Sequence, residues 1–187
     1  MAIDAKTAQA VYDKADLIYS EQDVEAALDR IASEITQKLA DQDPIAICIM
    51  NGGLIAAGKL LPKLNFPLRV DYLHATRYHG QTSAGELNWL QRNHQELKNQ
   101  TILIIDDILD EGITLQAIVE FCHEMGAASI HTAVVVEKQH DRSNGFKCDF
   151  VGLKVEDRYV FGYGMDYKGY LRNAPGIFAV SEEHQGG

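Results

Sequence analysis

A short apolar segment that ends in a cluster of carboxylates constrains this chain more than any other feature. Ile102–Ile105 is a continuous aliphatic run, whose length and β-branched content are typical of a strand buried on both faces, as in a parallel sheet. Asp106 and Asp107 follow at once, and an apolar pattern with helical spacing begins near Thr114. Residues 101–115 therefore predict a strand, an acidic loop and a helix.

A loop between a parallel strand and a helix is where open α/β sheets bind their ligands. The helix N-terminus offers backbone N–H groups and a partial positive charge to a phosphate, and Gly112 lets the backbone turn and approach the ligand. The carboxylates suit hydroxyl donors, such as those of a ribose, or a magnesium ion. The loop therefore predicts a sugar-phosphate site, although the Gly-x-x-x-x-Gly-Lys spacing of a P-loop is absent.

The composition favours a globular protein of one domain without a nucleic-acid partner. The 187 residues are 46% hydrophobic, which suffices for one core, and the chain contains no internal repeat or linker. A net charge of −10 without a Lys/Arg-rich run argues against nucleic-acid binding. Because the chain lacks a membrane-spanning apolar run, a signal region and a CxxC pair, we expect a cytoplasmic protein with reduced thiols and no membrane partner.

The remaining apolar patterns predict further helices and strands around the central segment. Helices are expected over residues 7–18, 20–39 and 54–64, with a Ser20–Asp23 capping box before the second. Strands are expected over residues 45–50, 68–75, 130–136 and 148–153. The first of these strands runs into Asn51-Gly52-Gly53, a turn whose consecutive N–H groups can bind an anion. The polar residues 76–88 predict a long loop or a flexible hairpin.

Two of these segments resemble a known family. IIDDILDEGITL, at residues 104–115, resembles the signature of type I phosphoribosyltransferases, which bind phosphoribosyl pyrophosphate (PRPP). Residues 156–175, EDRYVFGYGMDYKGYLRNAP, are similar to the C-terminal signature of hypoxanthine-guanine phosphoribosyltransferases. The resemblance covers residues 44–175. It implies an α/β fold with a mainly parallel central sheet and helices on both faces, a core over about 44–155, and a small hood built from the N-terminal segment and about 156–187.

The resemblance also implies contacts to PRPP. One continuous segment would hold the ribose and its 5′-phosphate: Asp106, Asp107, Asp110, Glu111, Gly112, Ile113 and Thr114. Residues from separate segments would hold the pyrophosphate: Asn51, Gly52, Arg77, Tyr78 and Arg172. Family members usually have Thr or Ser at position 111 and often have Lys or Arg at position 51. We therefore expect backbone N–H groups to dominate the phosphate contacts here, with the loop 76–88 closing over the site.

A purine site and a magnesium ion are implied in the same way. Lys138 would donate to the O6 carbonyl of a 6-oxopurine, a contact that the amino group of adenine cannot accept. The purine-binding residues would be Lys138, Tyr159, Val160 and Asp166, with the Tyr159 ring stacked on the base and the Val160 backbone facing its 2-position. The magnesium ligands would be Asp166, Asp106 and Asp107. Asp110 would be the catalytic acid/base at purine N7.

The implied activity belongs to purine salvage. The 5-phosphoribosyl group of PRPP would pass to hypoxanthine or guanine and give IMP or GMP and pyrophosphate, in a homodimer or homotetramer. Two alternatives stay open: a xanthine-preferring enzyme, and a nucleotide-binding regulatory protein of the same fold. The acidic balance of the chain counts against an RNA-binding regulator. The sequence does not rank hypoxanthine, guanine and xanthine.

Overall fold

A computed structural model describes residues 3–77, 87–91 and 95–181 of the chain. The described helices are α1 Ala5–Asp13, α2 Glu21–Leu39, α3 Gly53–Leu60 and α4 Ile113–Glu124. The described strands are β1 Asp16–Ser20, β2 Ile45–Met50, β3 Arg69–Arg77, β4 Leu87–Gln91, β5 Thr101–Leu109, β6 Ser129–Gln139, β7 Phe150–Glu156, β8 Val160–Phe161 and β9 Gly176–Ala179. None of the described helices is long and apolar enough to cross a membrane.

The central sheet has six strands in the order β4-β3-β2-β5-β6-β7. Five of them run parallel, and β4 pairs antiparallel with β3 at one edge. The apolar strand β5 lies in the middle, where Ile102 pairs with Ile45 on one side and Ile130 on the other. Helices cover both faces, so the predicted fold class is confirmed.

The alternation of side chains along β5 explains the two layers around the sheet. Leu103 and Ile105 point into a core shared with α2 and α3, whereas Ile102 and Ile104 point into a core shared with α4. One face of α2 is apolar, as its helical spacing predicts, and is buried throughout: Val24, Ala27, Leu28, Ile31, Ile35 and Leu39. The Ser20–Asp23 capping box is also present, which confirms how this helix begins.

A second, three-stranded sheet brings the two ends of the chain together in the order β1-β9-β8, with both pairs antiparallel. Its small core contains Val11 of α1 together with Phe161 and Val180. The turn after β8 reaches the carboxyl ends of the central strands, since a Cβ added at Gly164 would collide with the carbonyl oxygen of Gly52. Segments far apart in sequence thus meet at the carboxyl ends of the central strands.

Several predicted boundaries were wrong. The helix predicted over residues 7–18 is α1, which starts earlier because Asp4 accepts from the Thr7 backbone N–H at 2.8 Å, and which ends at Asp13. Residues 16–20 form β1 instead, since tertiary pairing with β9 overrides the local helical spacing. The helix predicted over 54–64 ends at Leu60 and continues as one turn of 3₁₀ helix, Leu61–Lys63.

The strands also extend beyond the predicted apolar runs. β5 continues through both aspartates to Leu109, and β6 continues to Gln139 rather than ending at residue 136. β7 spans Phe150–Glu156 rather than residues 148–153. Of the predicted loop 76–88, residues 76 and 77 belong to β3, residues 87 and 88 belong to β4, and 78–86 lie outside the described part of the chain.

Candidate functional site

Asp106 and Asp107 are two buried carboxylates near the carboxyl end of β5. Only 8% of Asp106 and 7% of Asp107 are exposed. The Asp107 backbone N–H donates to Asp106 Oδ1 at 2.9 Å, and the Ile108 N–H donates to Asp107 Oδ1 at 2.8 Å. Burial, followed by the charge of Asp107, raises the pKa of Asp106 well above its usual range, and burial also raises the pKa of Asp107. Such a pair favours hydroxyl donors or a cation as neighbours.

The chain turns after β5 through Asp110, Glu111 and Gly112, and α4 begins at Ile113. Gly112 has φ +88°, and a Cβ there would collide with the side-chain oxygen of Asn144. The N-cap residue of α4 is Gly112 itself, which has no side chain to cap the helix. The segment from Asp106 to Leu115 lines a cavity of about 280 Å³, which includes the predicted residues Glu111 and Thr114. The predicted strand–loop–helix unit is therefore confirmed, with a shorter loop.

Asp107 meets a second loop, at the end of β2. The Met50–Asn51 peptide bond is cis, and α3 starts two residues later, at Gly53. A Cβ added at Gly52 would lie 2.6 Å from Cγ of Asp107. A side chain at position 52 would therefore displace the Asp107 carboxylate. The predicted pyrophosphate-binding residues Asn51 and Gly52 thus border the predicted ribose-binding residue Asp107.

Arg172 connects Asp107 to the turn that follows β8. Its Nη2 lies 2.7 Å from Asp166 Oδ1, its Nη1 donates to the Gly164 carbonyl at 2.5 Å, and Nη1 lies 4.0 Å from Asp107 Oδ2. Asp166 also accepts from the Gly169 backbone N–H at 2.7 Å. The three predicted residues Asp107, Asp166 and Arg172 are therefore brought together, with the guanidinium lying between the two carboxylates.

The donor chemistry of these carboxylates fits magnesium bound together with a phosphorylated ligand. No group of three or more His, Cys, Asp or Glu side chains is arranged for a metal ion within the described ranges. Magnesium, however, usually binds proteins through one or two carboxylates and completes its shell with water and substrate phosphates. The buried, mutually repelling Asp106 and Asp107, or the half-exposed Asp166, supply such oxygen ligands.

Asp110 forms a three-residue cluster with Lys138 of β6 and with His140, which follows directly after that strand. Its Oδ2 lies 3.0 Å from Lys138 Nζ, and its Oδ1 lies 2.6 Å from His140 Nε2. Burial opposes ionisation of Asp110, but the hydrogen bonds from Lys138 and His140 outweigh it and lower the pKa of the carboxyl. Lys138 lies near the end of β6, and His140 follows the last residue of that strand, Gln139; both side chains reach the same carboxylate.

Tyr159 and Val160 lie where the chain enters the second sheet. The Tyr159 ring is 45% exposed and contacts the Tyr167 ring edge-on, with 5.4 Å between the ring centroids. Val160 is buried in β8, where it pairs with Ala179. An exposed aromatic face held from one side by a second ring is suited to stacking on a planar ligand.

The structure leaves part of the predicted site undescribed. Tyr78 lies outside the described residues, and of Arg77 only the backbone is described, as the last residue of β3 paired with Leu87. The sequence analysis, for its part, missed His140 and Asn144. No sequence pattern indicates His140, because it lies past the end of β6 at Gln139 and only the fold brings it to Asp110.

Comparisons with known proteins agree with this geometry. Phosphoribosyl transferase domains match residues 14–168. A hypoxanthine-guanine phosphoribosyltransferase of Staphylococcus epidermidis is 30% identical over 172 residues, which cover 91% of this chain and 96% of the relative. An enzyme of the same name from Bacillus subtilis is 32% identical over 162 residues, covering 86% and 90%. A solved hypoxanthine phosphoribosyltransferase from Staphylococcus aureus shares the fold, with a TM-score of 0.89 at 24% identity over 95% of this chain and 98% of that one.

The parallel sheet, the carboxylates at the end of β5 and the loop after β2 define a fold and site of the phosphoribosyltransferase class. Because the family match covers most of the chain, this protein belongs to the phosphoribosyltransferase family. The two curated relatives described above are both hypoxanthine-guanine phosphoribosyltransferases. The family resemblance seen in the sequence is therefore confirmed.

Proposed function

We propose that this chain transfers the 5-phosphoribosyl group from PRPP to hypoxanthine or guanine, producing IMP or GMP and pyrophosphate. The observation that carries the proposal is the arrangement at the ends of β5 and β6. There, Asp106 and Asp107 adjoin the N-terminus of α4, and Lys138 lies 3.0 Å from Asp110. The carboxyl ends of these strands thus carry groups that can bind a sugar, a phosphate and a base with a carbonyl. The names of the two curated relatives support the same activity.

The proposed reaction exchanges one bond at C1′ of the ribose. The C1′–O bond breaks, its electron pair leaves with pyrophosphate, and purine N9 forms the new bond to C1′. The purine proton at N7 passes to Asp110, whose lowered pKa keeps it ionised and able to accept. Asp106 and Asp107 orient the ribose hydroxyls, so that positioning of two bound substrates supplies much of the rate. Magnesium, held by Asp166 or by Asp106 and Asp107, would supply positive charge next to the pyrophosphate oxygens.

The proposed base specificity depends on Lys138 and Tyr159. The Lys138 ammonium can donate to O6 of hypoxanthine or guanine but finds no acceptor in the amino group of adenine. The exposed ring of Tyr159 would stack on the base, which is worth about 1–3 kcal/mol by analogy with other base–aromatic contacts. The two residues come from separate elements, β6 and the segment before β8.

The direct test is a spectrophotometric assay with PRPP and magnesium, in which hypoxanthine, guanine, xanthine and adenine are supplied separately. We expect turnover with hypoxanthine and guanine and none with adenine. Preferential turnover of xanthine would favour the xanthine-preferring alternative. If PRPP binds but none of the four bases reacts, the proposal is wrong, and RNA retention on a filter at low salt then tests the regulatory alternative.

Lys138→Gln tests the specificity argument. The variant keeps a donor but loses the charge and the reach of the ammonium, so we expect kcat/KM for hypoxanthine to fall by about 10- to 100-fold while the KM for PRPP changes little. Lys154→Gln, an exposed lysine of β7 whose side chain points to Glu137 at 3.6 Å, is the matched control. Equal losses in the two variants would contradict a specific role for Lys138.

Asp110→Asn tests the role of the acid/base. The amide cannot accept the N7 proton, so turnover should fall by about 10²–10⁴-fold. PRPP binding, measured calorimetrically with the same variant, should persist, because Asp106, Asp107 and the N-terminus of α4 are unchanged. Near-wild-type turnover with intact PRPP binding would refute this assignment.

The proposal includes a homodimer or homotetramer. Three large apolar side chains near the loop after β2 are exposed on the described surface: Leu54, Val70 and Tyr72. They border a largely apolar cavity of about 470 Å³ between α3 and β3. An exposed apolar area of this kind is typical of contact surfaces. Light scattering on the full chain should give a dimer or tetramer mass that falls in Leu54→Glu, whereas a monomeric wild type would refute this part.

A further inference from the structure

His140 holds the Asp110 carboxylate from the side opposite Lys138. The imidazole is almost fully buried, with 3% of its side chain exposed, whereas 38% of the Asp110 side chain is exposed. His140 Nε2 lies 2.6 Å from Asp110 Oδ1. The two carboxylate oxygens therefore have different partners: Oδ1 contacts a buried imidazole, and Oδ2 contacts the Lys138 ammonium.

The second ring nitrogen of His140 fixes its tautomer. The backbone N–H of Arg142 donates to His140 Nδ1 at 3.0 Å, so that Nδ1 must carry a lone pair. The proton of the neutral ring consequently lies on Nε2, where it donates to Asp110 Oδ1. An imidazolium or the other tautomer would place an N–H group against the Arg142 N–H. A backbone hydrogen bond two residues along the chain thus determines what His140 presents to Asp110.

We propose that His140 is a positioning residue for Asp110. The neutral Nε2–H group of His140 holds the carboxylate in place when the Lys138 ammonium leaves Asp110 to hydrogen-bond the substrate. This inference rests on the proposed function. The Lys138 ammonium cannot serve Asp110 Oδ2 and a purine carbonyl equally well, because the base must occupy the space beside both groups. When Lys138 turns to the carbonyl, Oδ2 becomes the oxygen that faces N7, and His140 keeps Oδ1 in place.

The hydrogen bond from His140 fixes the orientation of Asp110 without neutralising the charge of its carboxylate. A charged donor such as a second lysine would bind Oδ1 more strongly and make the carboxylate a poorer base, since each nearby positive charge favours the ionised form. A neutral imidazole supplies direction through one hydrogen bond, and its burial keeps the ring from rotating away. The side chain at position 140 therefore affects how well Asp110 is aligned rather than whether the substrates bind.

The tautomer is tested by NMR on the full chain labelled with ¹⁵N. A long-range ¹H–¹⁵N correlation spectrum distinguishes the protonated from the unprotonated nitrogen of each of the seven histidines. The signals that disappear in His140→Gln identify those of His140. We expect a neutral ring protonated at Nε2 near neutral pH. A ring protonated at Nδ1, or at both nitrogens, would overturn the proposal.

The role is tested by the kinetics of two variants. His140→Leu keeps an apolar bulk but donates nothing, whereas the amide of His140→Gln can reach the Nε2 position and donate to Asp110. We expect kcat of the Leu variant to fall by about 10- to 100-fold, with KM values for PRPP and hypoxanthine within about threefold of wild type. The Gln variant should recover about tenfold of that loss. His131→Gln, a partly buried histidine at the opposite end of β6, is the control and should keep wild-type kinetics.

The outcomes separate the two levels of the proposal. If the wild type is active and the Leu variant has the same kcat, the role of His140 alone is overturned. The same holds if the Leu and Gln variants lose equal activity at similar thermal stability. A rise in KM for PRPP that accounts for the whole loss would do the same, because it would show a binding defect. A wild type inactive with every base would overturn the proposed function and this inference with it.

Discussion

Glu25 of α2 is a polar group that attaches the turn after β8 to the helices beside the central sheet, and its removal tests how much this contact stabilises the fold. Its carboxylate lies 2.9 Å from Lys59 Nζ and 2.9 Å from Lys63 Nζ, and it accepts from the Tyr163 hydroxyl at 2.7 Å. Tyr163 lies next to Gly164, whose α-carbon packs on Gly52. Glu25→Gln removes the charge, while its amide can still bond to Tyr163.

The magnitude follows from the pKa of Glu25. Burial opposes ionisation, but the contacts from Lys63, Tyr163 and Lys59 outweigh it and lower the pKa from 4.5 to about 2. At about 1.36 kcal/mol per pKa unit, this corresponds to at most about 3.4 kcal/mol of folding stability. Since 28% of the side chain is exposed and water screens the lysines, we expect about 1–2 kcal/mol for Glu25→Gln near neutral pH.

The sign of the pH dependence is fixed by the direction of the shift. The folded-state pKa is lower than the unfolded one, so this stability is fully present above 4.5 and is lost as pH falls towards about 2. Urea unfolding of wild type and Glu25→Gln between about pH 7 and about pH 3.5 should therefore give a free-energy difference that shrinks on acidification.

Glu34→Gln is the matched control for this experiment. Glu34 lies on the same helix and pairs with Arg30 at 2.8 Å, but the pair is on the surface, with 51% of Arg30 and 44% of Glu34 exposed. Its removal should change the unfolding free energy by less than about 0.5 kcal/mol. A difference for Glu25→Gln that equals the Glu34 value, or that grows as the pH falls, would refute the reasoning.

Two glycine substitutions test the packing of the site. Gly112→Ala should lower the unfolding free energy by about 1–3 kcal/mol, because φ is +88° and a Cβ would collide with Asn144; an unchanged urea midpoint would contradict this. Gly52→Ala should raise the KM for PRPP at least about tenfold, because Asp107 would have to move. Gly58→Ala in the same helix as Gly53, where nothing lies within 4 Å of the added Cβ, should leave KM unchanged; equal effects at positions 52 and 58 would refute the packing argument.

Those parts of the fold that arise from local pattern were predictable from the sequence. The continuous apolar run of β5 predicts a strand buried on both faces, and the periodicity and capping box of α2 predict its start and its buried side. β1 was missed because Leu17, Ile18 and Tyr19 form a strand through pairing with β9, which lies about 160 residues later in the chain. Local periodicity carries no information about such a partner.

The candidate site divides in the same way. The acids on β5 and the glycine before α4 stand in one continuous segment, so that their chemistry can be inferred from their spacing. The contact between Glu25 and Tyr163, by contrast, joins residues 138 positions apart. The role of His140 depends on a strand that continues past its apolar run, and on a backbone N–H that fixes its tautomer. Neither relation leaves a pattern in residue types.

The charge arrangement explains how so acidic a chain can select an anionic substrate. Among the described side chains, two cations that we assign to ligand binding are each paired with an aspartate, Lys138 with Asp110 at 3.0 Å and Arg172 with Asp166 at 2.7 Å. A ligand must replace these ion pairs, so a bare anion would gain the cations but would deprive Asp110 and Asp166 of the positive charges that pair with them. In the proposed reaction, PRPP carrying magnesium, together with a base that has both a carbonyl and an N–H group, would satisfy both signs at once. Selectivity of this kind comes from the acids as much as from the cations, because the carboxylates lower the affinity for any ligand that brings only negative charge.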